Sequence, residues 1–430
     1  MSTPPLTSTT TEPPRRGAPL QSLDDALVRL LGSVTACCAA APETVSTFDA
    51  LGRVLAADVV SLLDVPPADN TSMDGYALRA ADVPAAGTVL PVSQRIAAGH
   101  VGAPLQPGTA ARIFTGAQVP AGADAVVMQE VCEAQPDGTV RVNQVPQAGQ
   151  WVRRRAEDVA RGAVVLAAGT RLTPAALGLA ASVGAATLQV ARRPKVAVFS
   201  TGDELVMPGE VAPEAMRPGA IYNSNRYTLR GLIQALGCDV VDLGIVPDRR
   251  EATRAALRAA AADHDLIVTS GGVSAGEEDH LKPSVEAEGR LDLWQIAMKP
   301  GKPLAFGAVR RPQGGEAWFL GLPGNPVSVF VTFLLTVRPV LLALQGVAAT
   351  DAARLPALPL RAAFDWPRPD RRREFVRARV DADGAVALFP NQSSGVLTSA
   401  VWADGLVDIA AGQAIARGDT VRFIPLAALS

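Results

Sequence analysis

From Lys195 to about residue 345, short β-branched strands alternate with helices, and the strands end on polar, glycine-bearing loops. "KVAVFS", "CDVVDLGIV", "DLIVTS" and "LDLWQIAM" read as strands. "NRYTLRGLIQALG", closed by Gly237, "DRREATRAALRAAAA" and "LKPSVEAEG" read as helices. Asp248 and Glu251 have the spacing of a capping box at the start of the second helix. Strands separated by helices require crossover connections, which predicts βαβ units on a parallel or mixed sheet. In such sheets a ligand sits beyond the carboxyl ends of the strands.

Two of those ends carry chemistry. "VFSTGDELV" stops a buried strand on Ser200, Thr201, Gly202, Asp203 and Glu204, and "TSGGVSAGEED" follows another. In the second, Ser270, Gly271, Gly272 and Ser274 can turn backbone N–H groups towards an anion, or can simply make a tight turn. The spacing is neither a Walker loop nor GxGxxG. Acids beside a phosphate cradle point to a bridging divalent cation, so Glu204 and Asp279 are candidates for Mg²⁺ or for an oxyanion-bearing substrate. Asp248 lies near a third strand end, where capping alone would explain it. "KPGKP" places Lys299 and Lys302 three apart in a proline-fixed loop, either a compact cationic site or a solvated turn. In "GLPGNPVS", Pro323, Gly324, Asn325 and Pro326 stiffen the approach to an apolar helix. Asn325 can cap that helix, or the loop's N–H groups can meet an anion.

The remaining chain differs in texture. Ser22 caps a short amphipathic helix, "SLDDALVRLL", and a strand-like run follows at Arg53–Leu62. Short apolar runs broken by Pro and Gly fill residues 64–157, a small β domain. It holds "DNTSMDGYA", where Asp74 beside Gly75 suggests a tight turn. It also holds "IFTGAQVPAGADAVVMQE", where Thr115 is bland in isolation, and the charge run "RRRAED" ends it at Asp158. Thr173, Pro174 and Gly184 bracket another helix. The expected organisation is a tail over 1–20, a linker domain over 21–63 plus 158–192, an inserted β-rich domain over 64–157, a βαβ domain over 193–348 and a C-terminal β domain over 353–430. The fold class is multidomain α/β: a central doubly wound βαβ domain, an inserted small β-rich domain, a helical and stranded linker, and a C-terminal β-barrel-like domain.

Composition removes several classes. Forty basic and forty-two acidic residues leave a net charge of −2, with no whole-chain footprint for nucleic acid. The four cysteines, Cys37, Cys38, Cys132 and Cys238, lack metal-ligand spacing and read as small buried hydrophobes. The Pro/Thr-rich start has no apolar segment of the secretory kind, so the cytoplasm is the expected compartment. The apolar run Pro326–Leu344 is broken by Arg338 and Pro339, which predicts a core helix and not a membrane span.

The motifs "DNTSMDGYA", "IFTGAQVPAGADAVVMQE", "RRRAED", "FSTGDEL", "IYNSN", "TSGGVSAGEED", "KPGKP" and "GLPGNPVS" occur in this order. From about 21 to 428 the chain resembles the molybdopterin molybdenumtransferases and the C-terminal domain of gephyrin. The resemblance implies an elongated homodimer that inserts molybdate into adenylylated molybdopterin with Mg²⁺-dependent release of AMP, giving molybdenum cofactor. It implies a site between the βαβ domain of one subunit and the inserted domain of the other. The matching positions are Asp74, Thr115, Asp158, Glu204, Asp248, Asp279, Lys299 and Lys302, with Ser394 of "NQSSG" a weaker match. Glu204, Asp248 and Asp279 are the implied metal set. Ser270, Gly271, Gly272, Ser274, Asp158, Pro323, Gly324, Asn325 and Ser394 are the implied substrate contacts. Implied partners include the adenylyltransferase that supplies the substrate and the proteins that receive the cofactor. The chain departs from the family at Gln295, where many relatives carry lysine, and at His280, where tyrosine is common. A non-catalytic pterin-binding scaffold of the gephyrin type is the alternative. Retention of Glu204, Asp279, Lys299 and Lys302 favours catalysis.

Overall fold

A computed structural model describes residues 20–35, 41–273 and 280–429. Its contacts divide the chain into two compact units, Pro42–Val190 and the remainder.

The larger unit is built on a six-stranded mixed sheet. Its elements are α1 (Leu23–Thr35), β1 (Lys195–Thr201), α2 (Ser224–Ala235), β2 (Asp239–Val246), α3 (Arg250–Asp263), β3 (Leu266–Ser270), α4 (Leu281–Glu288), β4 (Gly289–Gln295), β5 (Pro303–Arg310), β6 (Glu316–Leu322) and a long helix α5 (Pro326–Leu344). The strand order is β2-β1-β3-β6-β5-β4, with the first four parallel, β5 antiparallel to β6 and β4 antiparallel to β5. The period-2 alternation of strand side chains sorts the core into two layers. Val196 and Val198 pack with α1, α2 and α5 on one face, and Ala197 and Phe199 pack with α3 and α4 on the other. The sheet is therefore doubly wound, as its sequence pattern predicts.

Three local expectations change. Helix α1 runs longer than its amphipathic run suggests and is capped by Ser22, whose Oγ accepts from Asp25 N at 3.1 Å. Its apolar face lies in the core of the βαβ unit, not with the linker strands. Helix α3 begins at Arg250 with Arg249 in the N-cap position and no side-chain cap bond from it, so the Asp248–Glu251 capping box does not form. Helix α5 is not broken at Arg338–Pro339. A π turn over Phe333–Val337 widens the helix just ahead of the proline, which absorbs the missing N–H donor. The helix is buried in the core.

The C-terminal strands Leu358–Arg361, Arg373–Val380, Val386–Leu388, Gly405–Ile409 and Thr420–Pro425 form a separate sheet in this unit. Ala362, continuing the first strand, bridges Val386, so the path returns on itself in barrel-like fashion around Val376, Val407 and Phe423. Met298–Lys299 adds to this sheet beside Arg373–Glu374, tying the "KPGKP" loop to it.

In the smaller unit, Glu43–Ser46 pairs with Thr187–Val190 and Val59–Val60 with Val164–Leu166, around Leu55, Leu172 and Val190. The expected strand Arg53–Leu62 is thus fragmented, because Val54, Leu55 and Val59–Val60 each pair with a different segment. Thr173 caps its helix by accepting from Ala176 N at 3.2 Å, with Pro174 in the first turn. A six-stranded sheet holds the second set of cores, with Gly75–Leu78 between Ala125–Met128 and Ala110–Ile113.

Phe319, fully buried on β6, anchors the α3/α4 layer. Phe319→Ala is expected to cost about 3–5 kcal/mol, and Thr173→Ala only about 1 kcal/mol. Urea unfolding followed by circular dichroism checks both, and equal losses would contradict this placement of the core.

Candidate functional site

The carboxyl ends of β1, β3 and β6 open into a cleft of about 1030 Å³ in the larger unit. Parallel register brings Ser200 level with Ser270, and their hydroxyls meet at 3.0 Å beneath the floor. The chain then turns at Gly271 and Gly272, with φ of +88° and +67°. At Gly271 a Cβ would lie 2.7 Å from the Thr201 carbonyl oxygen. Only glycine permits both the left-handed backbone and that approach. Gly271 N–H donates to Leu322 O at 3.1 Å, so the turn is locked to β6 and this donor is not free for a ligand.

Glu204 and Asp248 line the cleft with Ser270, Gly271, Gly272, Pro323, Gly324 and Asn325. Glu204 is exposed, and its carboxylate lies against Gly202, where a Cβ would meet it at 2.6 Å. Asp248, one residue ahead of the N-cap position of α3, sits where its backbone N–H reaches Asp203 Oδ1 at 3.4 Å. Asn325 occupies the N-cap position of α5 but makes no side-chain cap bond, which leaves its amide at the cleft surface. Ser394 contributes through its backbone: its carbonyl accepts from Val327 N at 3.0 Å, and the neighbouring Gly395 lines the cleft. Ser274 and Asp279 lie outside the described residues.

The lysines depart most from expectation. Neither is among the lining residues, although Pro303 is. Lys299 Nζ pairs with Glu374 Oε1 at 2.9 Å and Asp370 Oδ2 at 3.6 Å. Glu374 is buried and also accepts from Trp366 Nε1 and Asp370 N. A lysine beside two acids satisfies their charge first, so Lys299 anchors the C-terminal sheet in this structure instead of forming an open cationic site. Lys302 is exposed.

Sequence reasoning missed the "IYNSN" asparagines. Asn223, almost fully buried, caps α2 by accepting from Arg226 N at 3.2 Å, and its Nδ2 has no partner among the described residues. Asn225 donates to Gly324 O at 2.7 Å while its Oδ1 has no partner among them. Thr201 Oγ1 is likewise unpartnered. All three residues line the cleft. Unsatisfied buried polar atoms are costly, and a concentration of them marks a place that a polar ligand completes. Two asparagines flanking one serine were the available signal.

In the smaller unit, Asp74 and Thr115 form a pair. Asp74 Oδ1 accepts from Thr115 N at 2.8 Å and from Thr115 Oγ1 at 2.7 Å. The Thr115 backbone N–H, then its hydroxyl, then the Arg112 charge hold the Asp74 carboxyl below the usual carboxylate range. Asp158 is exposed, and its backbone N–H donates to Val65 O at 3.0 Å. Cys132 is half-buried, and burial pushes its thiol up to about 11, which fits a packing role. Cys238 is buried.

Among the described residues no three His, Cys, Asp or Glu side chains cluster as a metal site. Glu204 and Asp248, together with the uncommitted oxygens of Asn225 and Thr201, nonetheless supply the hard oxygen donors that suit Mg²⁺.

Gly271→Ala is expected to cost about 1–3 kcal/mol through backbone strain. Gly324→Ala, whose nearest non-neighbouring atom to a new Cβ is 3.9 Å away, should be almost neutral in the same urea titration. Asp370 yields a pH signature. Its bond to Arg372, with smaller help from Lys299, holds its carboxyl well below the usual range. A depressed carboxyl contributes stability above its unfolded value and loses it as pH falls through the folded one. The stability gap between wild type and Asp370→Asn should therefore be constant from neutral pH down to about pH 4 and shrink below it. A gap that does not change with pH would contradict the pairing.

Family profiles match the chain in three consecutive blocks: the MoeA N-terminal region (domain I and II) over residues 21–184, a probable molybdopterin binding domain over 197–343, and the MoeA C-terminal region (domain IV) over 359–426. The chain is 43% identical over 304 residues to a molybdopterin molybdenumtransferase of Haemophilus influenzae, covering 71% of this chain and 73% of that one. It is 40% identical over 380 residues to molybdopterin molybdenumtransferase 2 of Mycobacterium tuberculosis, covering 86% and 91%. A crystal structure of the molybdopterin biosynthesis moeA protein from Pyrococcus horikoshii superposes with a TM-score of 0.78 at 27% identity, over 95% of this chain and 100% of that one. With its strand-end cleft and this continuous likeness, the chain belongs to the MoeA family of molybdopterin molybdenumtransferases.

Proposed function

We propose that the protein transfers molybdenum from molybdate into adenylylated molybdopterin, in an Mg²⁺-dependent reaction that releases AMP and yields molybdenum cofactor. The observation that carries this reading is the cleft in which Glu204 and Asp248 share walls with the Gly271–Gly272 turn and the Pro323–Asn325 loop. The substrate is a phosphoanhydride and its co-substrate a dianion, so the site must offer both oxyanion donors and a means of offsetting charge.

Glu204 and Asp248, joined by Asp279, would hold Mg²⁺, which when bound offsets charge on the phosphoanhydride oxygens. Asn223 Nδ2 is an unused donor for an oxyanion, and Asn225 Oδ1 an unused acceptor for a pterin N–H. Ser270, Pro323, Gly324, Asn325 and the Ser394 loop shape the enclosure, and Ser274 would add a substrate contact. Lys302 supplies positive charge at its edge, and Lys299 does so when it exchanges Asp370 and Glu374 for substrate. Asp74 and Thr115, with Asp158 of the same unit, would clamp substrate from the second subunit of a homodimer. Exposed apolar side chains of the smaller unit, Phe48, Leu62 and the strand-paired Val60 and Val164, support association. The cytoplasm fits this reading, as does delivery of substrate by an adenylyltransferase and hand-off to cofactor-carrying proteins.

The pairing of Lys299 favours one second reading, a non-catalytic pterin-binding scaffold. Mixed dimers decide between them. Glu204→Gln and Asp74→Asn homodimers should each lose molybdenum insertion by about 100-fold or more, as expected for removing a group that acts at the reacting centre. Co-expressed subunits should regain activity, because one site in the mixed dimer receives both intact partners. Inactive mixed dimers would exclude a shared site, and full activity of the Glu204→Gln homodimer would move the protein to the scaffold reading.

A further inference from the structure

The inserted domain carries a cationic pair that the reaction above leaves unused. Arg95 lies on the strand Thr88–Ile96 and Arg112 on Ala110–Ile113, and parallel register sets the two residues directly opposite one another. Like charges in that position repel, so the sheet itself gains nothing from the arrangement.

Both guanidinium groups lie on one ring. Their central carbons are 4.4 Å and 4.5 Å from the centroid of Phe114, the residue before Thr115. Arg112 also lies over Tyr76 at 5.2 Å. It is fixed further by donating from Nη1 to Gly75 O at 2.9 Å and from Nη2 to Gln129 Oε1 at 2.5 Å. Arg95 is exposed, and no ion pair or hydrogen bond from its side chain is present among the described residues. Stacking occupies only the faces of a guanidinium, so the N–H edges of Arg95 stay open to the oxygens of a phosphate, while Arg112 spends its two Nη groups on Gly75 and Gln129 and adds its charge. The nearby carboxylate, Asp74, is already engaged by the Thr115 N–H and hydroxyl. The cluster is therefore a preorganised cationic fork with an uncommitted charge.

We propose that Arg95 and Arg112, held on Phe114, form an oxyanion subsite on the inserted domain that takes phosphoryl oxygens of the substrate. This rests on the molybdenumtransferase reading, in which the substrate carries a phosphoanhydride. Arg112 orients the ring and the fork, and Arg95 supplies the charge that the ligand neutralises.

The test is residue-specific protection. The full-length protein is treated with phenylglyoxal, with and without inorganic pyrophosphate at matched ionic strength, and modification of each arginine is followed by peptide mass spectrometry. Pyrophosphate should slow modification of Arg95 by at least about fivefold, as a charge-assisted contact requires, and leave the exposed Arg141 unaffected. Arg95→Gln should then raise KM for adenylylated molybdopterin by about tenfold or more with kcat nearly unchanged, the loss of one charge-assisted hydrogen bond. Arg95→Lys, which keeps charge but not the fork, should recover part of it. Equal labelling of Arg95 with and without pyrophosphate overturns the proposal, as does an unchanged KM in Arg95→Gln. Protection of Arg95 in a wild-type protein that inserts no molybdenum would sink the reaction assigned above while leaving the subsite standing.

Discussion

The close approach of Gly271 to the carbonyl of Thr201 is the contact on which the cleft depends. It lets β1 and β3 end side by side, with Ser200 and Ser270 bonded below and two left-handed glycines above. A side chain at Gly271 would push the two strand ends apart. Glu204, three residues beyond Thr201, and the Pro323–Asn325 loop beyond β6 would then no longer share an enclosure. The parallel register of β1, β3 and β6 is thus a functional constraint as well as a packing one.

Around that contact the protein separates rigid support from polar incompleteness. The sheet is buried on both faces, and α5 passes through the core without a break because a π turn accommodates Pro339. At the cleft rim the accounting of hydrogen bonds stops closing: Asn223, Asn225 and Thr201 each keep an unused polar atom. Three unpartnered polar atoms facing one opening favour a ligand that supplies the missing partners. The Asp74–Thr115 pair and the Arg95–Phe114–Arg112 stack show the same economy in the smaller unit, where short-range contacts fix side chains in advance of binding.

Much of this was legible in the sequence, for local reasons. Ser22 and Thr173 cap their helices because a short hydroxyl ahead of an apolar run has few better uses. The alternation of strand and helix from Lys195 onward specified a doubly wound sheet, and the glycines of "TSGGVSAGEED" marked a turn at a strand end. What was not legible depended on distant partners. Lys299 looks like a free cation in "KPGKP", but Asp370 and Glu374, more than seventy residues away, claim it. Asp248 has capping-box spacing, yet the helix starts two residues later. Asn223 went unnoticed in "IYNSN", because only its burial exposes the unsatisfied amide. Helix α1 carries an amphipathic pattern that cannot say which core will receive its apolar face.

The central claim is that the strand-end cleft couples cleavage of an adenylylated pterin to capture of molybdate. The most direct measurement follows AMP release and molybdenum cofactor formation together, in single turnover with purified protein, adenylylated molybdopterin and Mg²⁺, with and without molybdate. The account predicts AMP and cofactor appearing in equal amounts, at matching rates, only when molybdate is present. Tight binding of the pterin with no molybdate-dependent AMP release would contradict it.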